Sequence, residues 1–332
     1  MHNRLVFLFL FLFITGLNAE ELNLKISLKN GTTGGVGQAD SIKLIALQGG
    51  MVPVGEFSNK SGNFVLEKVN VPDGSPILIQ VSYKGANYNK MVPPAPNFRN
   101  KVQEISVYET TSDRKNIEVR SLLQIVREEN LVRLYKIFLI ENKSNPPRSF
   151  QDKNNPLEVF VPAEATEVFG QLTQGDSKMG IPLNLVDGKK GKMIDRSILP
   201  GSSELQITFV LSAKSLGDIS FKDELNFEDP KSPRIIFYKP KDMKVELKGS
   251  MSTEEIKENI PEGLGAIRAI YSETNSVEIS VAGGNFEPEE PRTNSPKVRN
   301  GSIFTTWDKS VFAVIGFLGI FFSLSFLFVY RK

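Results

Sequence analysis

Ser112 and Lys115 stand at the S-x-x-K spacing, which on a helix brings a hydroxyl and an amine together as a Ser-Lys nucleophile pair. They sit in an Asp/Arg-rich stretch between two strand-like runs, a context that favours a solvated link over catalysis. Two clusters could use carboxylates. Glu287, Glu289 and Glu290 fall in a Pro-rich segment that cannot hold two acids at the fixed separation glycoside hydrolysis needs, so they read as a solvated acidic run. Asp223, Glu224, Glu228 and Asp229 could touch a hard cation such as calcium, but lack the alternating loop spacing and its Gly. Asp187-Gly188-Lys189-Lys190-Gly191-Lys192 resembles a phosphate loop without its Gly-Lys-Ser/Thr ending and reads as a charged hairpin tip. Tyr83, Tyr88 and Tyr108 could form an aromatic face for a ligand, or fill a sandwich core.

The missing residue types say more. The chain has no Cys, and its one His is His2, near the N-terminus. Downstream of it there is no imidazole or thiol, which removes His-based triads, thiol nucleophiles, nitrogen or sulfur zinc sites and His-ligated haem. No catalytic residue, cofactor or metal is therefore expected. No G-x-S-x-G elbow occurs, and Gly201-Ser202-Ser203 after Pro200 reads as a hairpin turn.

Turn residues and period-two runs define the elements that would position any site. From Leu22 to Tyr108, Leu24, Ile26 and Leu28 alternate with polar neighbours, as do Ile77, Ile79 and Val81. Ser61-Gly62-Asn63 and Asp73-Gly74 punctuate the runs, a spacing that predicts a β-sandwich. Further on, Leu122–Val126 and Leu131–Ile140 flank a polar turn and suggest a hairpin, although Leu123, Val126, Leu134 and Phe138 could also make an amphipathic helix. β-branched and aromatic residues favour strands. Val159–Val161, Gln206–Leu211, Arg234–Tyr238, Lys244–Leu247 and Val277–Val281 add strand candidates, and Ser252-Thr253-Glu254-Glu255 is a capping-box pattern predicting a short helix stopped by Pro261.

The order of NGTTGGVGQADSIKLIAL, SNKSGNFVLEKVNV and PILIQVSYKGANY, with its Gly62-Asn63-Phe64 turn and the strand end Val81-Ser82-Tyr83-Lys84-Gly85, resembles the carboxypeptidase regulatory-like domain, a transthyretin-type (prealbumin-like) sandwich of about seven strands. The likeness covers Leu22 to about Glu109 and departs at Gly34 to Gln38, where a Pro-containing turn is commoner. The longer arrangement, through VYETTSD and PGSSELQITFVL, is similar to bacterial membrane-anchored proteins carrying this domain, and implies a structural or accessory module. In a bacterial setting the Asn-x-Ser/Thr triplets at Asn30, Asn59, Asn142 and Asn300 are chance occurrences.

The ends of the chain set the compartment. Arg4, the apolar run Leu5–Ile14 and the small Ala19 before Glu20 and Glu21 form a secretory signal with cleavage after Ala19; an uncleaved signal anchor is the alternative. Val311–Val329 is uncharged and long enough to cross a bilayer as one helix. Trp307 and Tyr330 stand at its ends as interfacial anchors, and Arg331 and Lys332 place the tail on the cytoplasmic side.

The expected organisation is a signal peptide over 1–19, a sandwich over 20–110, a second β-rich domain over 111–284, a Pro/Glu-rich stalk over 285–308, a transmembrane helix over 309–330 and a tail at 331–332. The fold class is all-β, with two tandem β-sandwich domains followed by a single transmembrane α-helix. Without Arg4, Arg331 and Lys332 the chain carries 37 basic and 38 acidic residues, a net −1 that offers no attraction to nucleic acid. These features lead to an expected single-pass protein with its N-terminus in the periplasm or outside the cell. It would act as a non-enzymatic structural or protein-interaction module on other envelope proteins. A glycan- or peptide-binding module and a carboxylate-based enzyme are the alternatives, and partner and oligomeric state are not encoded in any motif.

Overall fold

The computed structural model describes residues 19–128, 131–175, 179–212, 218–228, 232–273 and 275–284. The signal, stalk, transmembrane and tail segments, with Trp307, Tyr330, Arg331 and Lys332, lie outside the described residues, as do Glu287, Glu289 and Glu290. Among the described residues no helix is long and apolar enough to cross a membrane. The architecture is all-β and consistent with sandwich packing.

In the first lobe the strands are β1 (Ala19–Asn30), β2 (Gln38–Leu47), β3 (Met51–Ser61), β4 (Asn63–Pro72), β5 (Ile77–Tyr83), β6 (Ala86–Val92) and β7 (Gln103–Val107), with a four-residue helix α1 (Pro96–Arg99) before β7. They form a three-stranded sheet, β4-β1-β7, and a four-stranded sheet, β3-β2-β5-β6. The alternation in the sequence becomes the packing between them: Leu24, Ile26 and Leu28 of β1 and Ile77, Ile79 and Val81 of β5 are all buried in one apolar cluster. Gly62 joins β3 to β4 at φ +60°, and Lys84 and Gly85 join β5 to β6 with φ of 49° and 81°. Two consecutive positive φ values suit the twist of a tight hairpin.

A short parallel pair, β8 (Thr110–Thr111) with β11 (Ser149–Phe150), ties the first lobe to the second. The second lobe starts with the expected hairpin, β9 (Ile117–Glu128) against β10 (Leu131–Asn142), in register from Leu131 opposite Glu128 to Asn142 opposite Ile117; the helical alternative is excluded. The remaining strands are β12 (Glu158–Val159), β13 (Thr166–Gln174), β14 (Gly180–Pro182), β15 (Val186–Asp187), β16 (Lys192–Met193), β17 (Gly201–Ser212), β18 (Ile219–Glu224), β19 (Arg234–Lys239), β20 (Lys244–Lys248), β21 (Ser252–Glu255), β22 (Gly265–Ile270) and β23 (Ser276–Ala282). An eight-stranded sheet, β14-β13-β17-β10-β9-β19-β22-β21, shares its core with a three-stranded sheet, β18-β23-β20.

Two local expectations change. Ser252–Glu255 is strand β21, paired with β22 from Ser252 opposite Ile270 to Glu255 opposite Ile267. The capping-box pattern loses because a free sheet edge supplies hydrogen-bond partners that an isolated helical turn would lack. Gly201-Ser202-Ser203 is the start of β17, opposite Asn142, Glu141 and Ile140, instead of a turn.

Candidate functional site

Three places gather functional side chains. The first is the junction of the lobes, where the tyrosines lie. Tyr83 and Tyr88 are buried, and the Tyr88 and Tyr108 rings are 6.0 Å apart. Their hydroxyls face inward: Tyr83 donates to Glu109 Oε1 at 2.8 Å, and Tyr88 donates to the Tyr108 carbonyl at 3.0 Å while lying 2.9 Å from Ser149 Oγ. Glu109 also accepts from Asn30 Nδ2 at 3.0 Å and pairs with Lys84. The Lys84 ammonium, then the Tyr83 hydroxyl, hold its carboxyl down at about 2. The Tyr83 and Tyr88 hydroxyls are thus taken up within the protein. A small cleft of about 320 Å³, lined by Tyr88, Tyr108, Glu104, Ser106 and Pro200 among others, touches two of the rings. Asn30 and Asn142 are buried with their amides donating inside the protein, in keeping with their triplets being chance.

The second place is a charged cluster inside the second lobe. Asp223 on β18 faces Lys136 on β10 and Arg234 on β19: Lys136 Nζ pairs with Oδ1, and Arg234 Nη1 donates to Oδ2 at 2.9 Å. Tyr271 donates to the same Oδ2 at 2.5 Å, and Lys136 also donates to the Phe160 carbonyl at 2.7 Å. All four side chains are at most 2% exposed. Burial pushes the Lys136 ammonium down, against the pull of Asp223. Burial alone would raise the Asp223 carboxyl, but the Arg234 and Lys136 charges outweigh it and leave the group below its ordinary value. Burial also raises the Tyr271 phenol well above its ordinary range.

Asp223 is thus neutralised by the protein's own cations. Glu224 pairs with Lys222, Glu228 folds back onto the amides of Asn226 and Phe227, and Asp229 lies outside the described residues. Among the described residues no three His, Cys, Asp or Glu converge as metal ligands. Ser112 and Lys115 form no pair either: the Lys115 amide is taken by Asp113 in a local turn. Asp187 and Lys192 do form a hairpin, β15 with β16.

The buried cluster was not recognised in the sequence, yet a signal exists. Lys136 stands in phase with Leu134, Phe138 and Ile140, Asp223 with Phe221 and Leu225, and Arg234 with Ile236 and Tyr238. Each charge interrupts an inward apolar run, and three such interruptions of mixed sign mark a buried network.

The third place is a groove of about 580 Å³ where the three-stranded sheet ends against β19, β22 and β21. Its floor is Tyr238, Met243, Val245, Leu247 and Ile267, and Lys244, Glu246, Thr253, Glu254 and Glu255 form its rim. Val245, Leu247 and Ile267 are only partly buried, because three strands cannot cover a sheet of eight. Tyr238 is seated over Gly265, where a Cβ would fall 2.1 Å from the ring. Rim carboxylates meet cations in turn, Arg268 on Glu254 at 3.5 Å and Lys257 on Glu255 at 3.8 Å.

No protein-family model matches the chain, and no curated protein matches it. Among solved structures it is similar to native leukotriene A4 hydrolase from Saccharomyces cerevisiae, at 13% identity and a TM-score of 0.31, over 52% of this chain and 30% of that one. It is also similar to a mutant M1 zinc metallopeptidase from Deinococcus radiodurans, at 8% identity and a TM-score of 0.25, over 52% of this chain and 43% of that one. The chain thus spans less than half the length of either. Both are enzymes, so the comparisons do not support the expectation of a non-enzymatic structural or interaction module. At these TM-scores the likeness assigns this chain no zinc, substrate or activity.

Proposed function

We propose that the protein is a membrane-tethered amphiphile-binding protein, and that the groove between β20 and the β19-β22-β21 end of the large sheet takes one long acyl chain. The carrying observation is the groove itself: five apolar side chains form a floor left partly open at the free ends of two sheets. Its volume falls in the range of small-molecule sites, about 300–1,000 Å³, and such sites are mostly apolar with a few polar groups at their edge. The rim carries Glu246, Glu254, Glu255 and Lys244, and Lys257 and Arg268, outside the lining, pair with Glu255 and Glu254. Carboxylates with cations close behind them suit a zwitterionic headgroup better than a fatty-acid carboxylate, which would meet three like charges.

The tether is the apolar segment 309–330, with Trp307 and Tyr330 as interfacial anchors and Arg331 and Lys332 in the cytoplasm. The groove belongs to the part of the fold from which the chain proceeds to that segment: Lys244 of β20 is paired with Ala282 at the end of β23. For the first lobe, seven strands in sheets of three and four support the transthyretin-type reading.

Native mass spectrometry of the purified full chain tests the groove. A retained zwitterionic phospholipid is expected in the unmodified protein, and one fewer in Leu247→Lys and Ile267→Lys. Equal retention in all three would count against the groove. Protease added to spheroplasts tests the topology: cleavage of residues 20–284 is expected, and full protection would refute it.

A further inference from the structure

We infer that the second lobe holds ordered water sealed inside it, bound between Arg234, Asn226 and Glu228 in the space between its two sheets. Arg234 Nη1 lies 2.9 Å from Asp223 Oδ2 and 4.0 Å from Glu228 Oε1, and its guanidinium sits over the Tyr271 ring at 5.5 Å. Its other edge, Nε and Nη2, is buried and unpaired. That edge is the side-on fork of the guanidinium, two parallel N–H groups that call for an acceptor. Glu228 has Oε1 buried without a partner, and Asn226, whose backbone amide donates to Glu228 Oε2 at 3.0 Å, has both its amide oxygen and its amide nitrogen buried likewise. Each buried polar group left unpaired carries its full desolvation penalty. Five in one neighbourhood would be a heavy burden for a fold to carry dry.

The chemistry of the five atoms selects the occupant. Arg234 Nε, Arg234 Nη2 and Asn226 Nδ2 need an acceptor, whereas Glu228 Oε1 and Asn226 Oδ1 need a donor. Only a molecule that does both satisfies the set. Charge excludes a cation: Lys136 and Arg234 are already balanced by Asp223 and Glu228, and Glu228 also faces the Arg114 guanidinium, so an added positive ion would stand uncompensated. The 4.0 Å between Arg234 Nη1 and Glu228 Oε1 is too long for a direct hydrogen bond and is a span that water commonly bridges. Buried waters typically make about three hydrogen bonds to such groups. The site is separate from the groove and from the tyrosine junction, and stands whether or not an amphiphile binds.

A crystal structure of the full chain at a resolution that shows solvent tests the inference. At least one ordered water is expected within about 3 Å of Arg234 Nε or Nη2 and of the Asn226 or Glu228 side chain. Direct pairing of these atoms with other protein groups, empty space, or density for an ion would overturn it. Oxygen-17 relaxation dispersion gives an independent reading: the unmodified protein should show a long-lived internal water that is lost in Asn226→Leu. A signal unchanged by that substitution, or absent from the unmodified protein, would contradict the site.

Discussion

Asp223 pairs with Lys136 and Arg234 at once and accepts the Tyr271 hydroxyl, deep inside the second lobe. Removing one member of such a group leaves the others charged and unpaired in a low-dielectric interior. Asp223→Ala should therefore lower stability by about 3–5 kcal/mol in chemical denaturation. Lys136→Met combined with Asp223→Leu should cost less than Asp223→Ala, because a matched apolar pair leaves less uncompensated charge. The reverse order would show that the pair is a minor contributor. Acid tests the same residues. Glu109 is held at about 2 and Asp223 lies below its ordinary 3.8, so both contribute stability that is complete above the ordinary carboxylate range. That stability is lost as pH falls through it, because the unfolded chain takes up protons that the folded one resists. Melting temperature should hold between pH 7 and 5 and decline below about 4.5, and Glu109→Gln should flatten part of that decline. An equally steep decline in the variant would remove Glu109 from the account.

Strand periodicity was legible wherever burial was one-sided: the hairpin of β9 and β10, the inward face of β1 and the strand β17 all follow it. What escaped was decided by distant partners. Ser252–Glu255 carries a helix-start pattern, but β22 offers it a ladder, and nothing in four local residues encodes that. The charged cluster escaped because its members sit on β10, β18 and β19 and at Tyr271, each unremarkable alone. The groove is likewise a property of two sheet ends meeting. At this scale Gly265 is the informative position. A Cβ there would fall 2.1 Å from Tyr238 Cζ, so Gly265→Ala must displace the ring that floors the groove. A loss of about 1–3 kcal/mol is expected, together with weaker retention of lipid; a fully stable variant that retains lipid normally would contradict the seating of Tyr238.

For the molecule as a whole, the proposed function needs a groove in the folded part to work beside a bilayer, with the segment 309–330 as the proposed tether. Amphiphile capture next to a membrane makes a demand that a purely structural role does not: the acyl chain must leave the lipid and enter protein. The most direct measurement is photo-crosslinking of the full chain in vesicles containing a zwitterionic phospholipid with a diazirine at its acyl terminus, followed by peptide mapping. The account predicts adducts at Val245, Leu247 or Ile267, diminished in Leu247→Lys and displaced by unlabelled zwitterionic lipid more readily than by a fatty acid. Adducts confined to residues 309–330, with none in the groove, would contradict it.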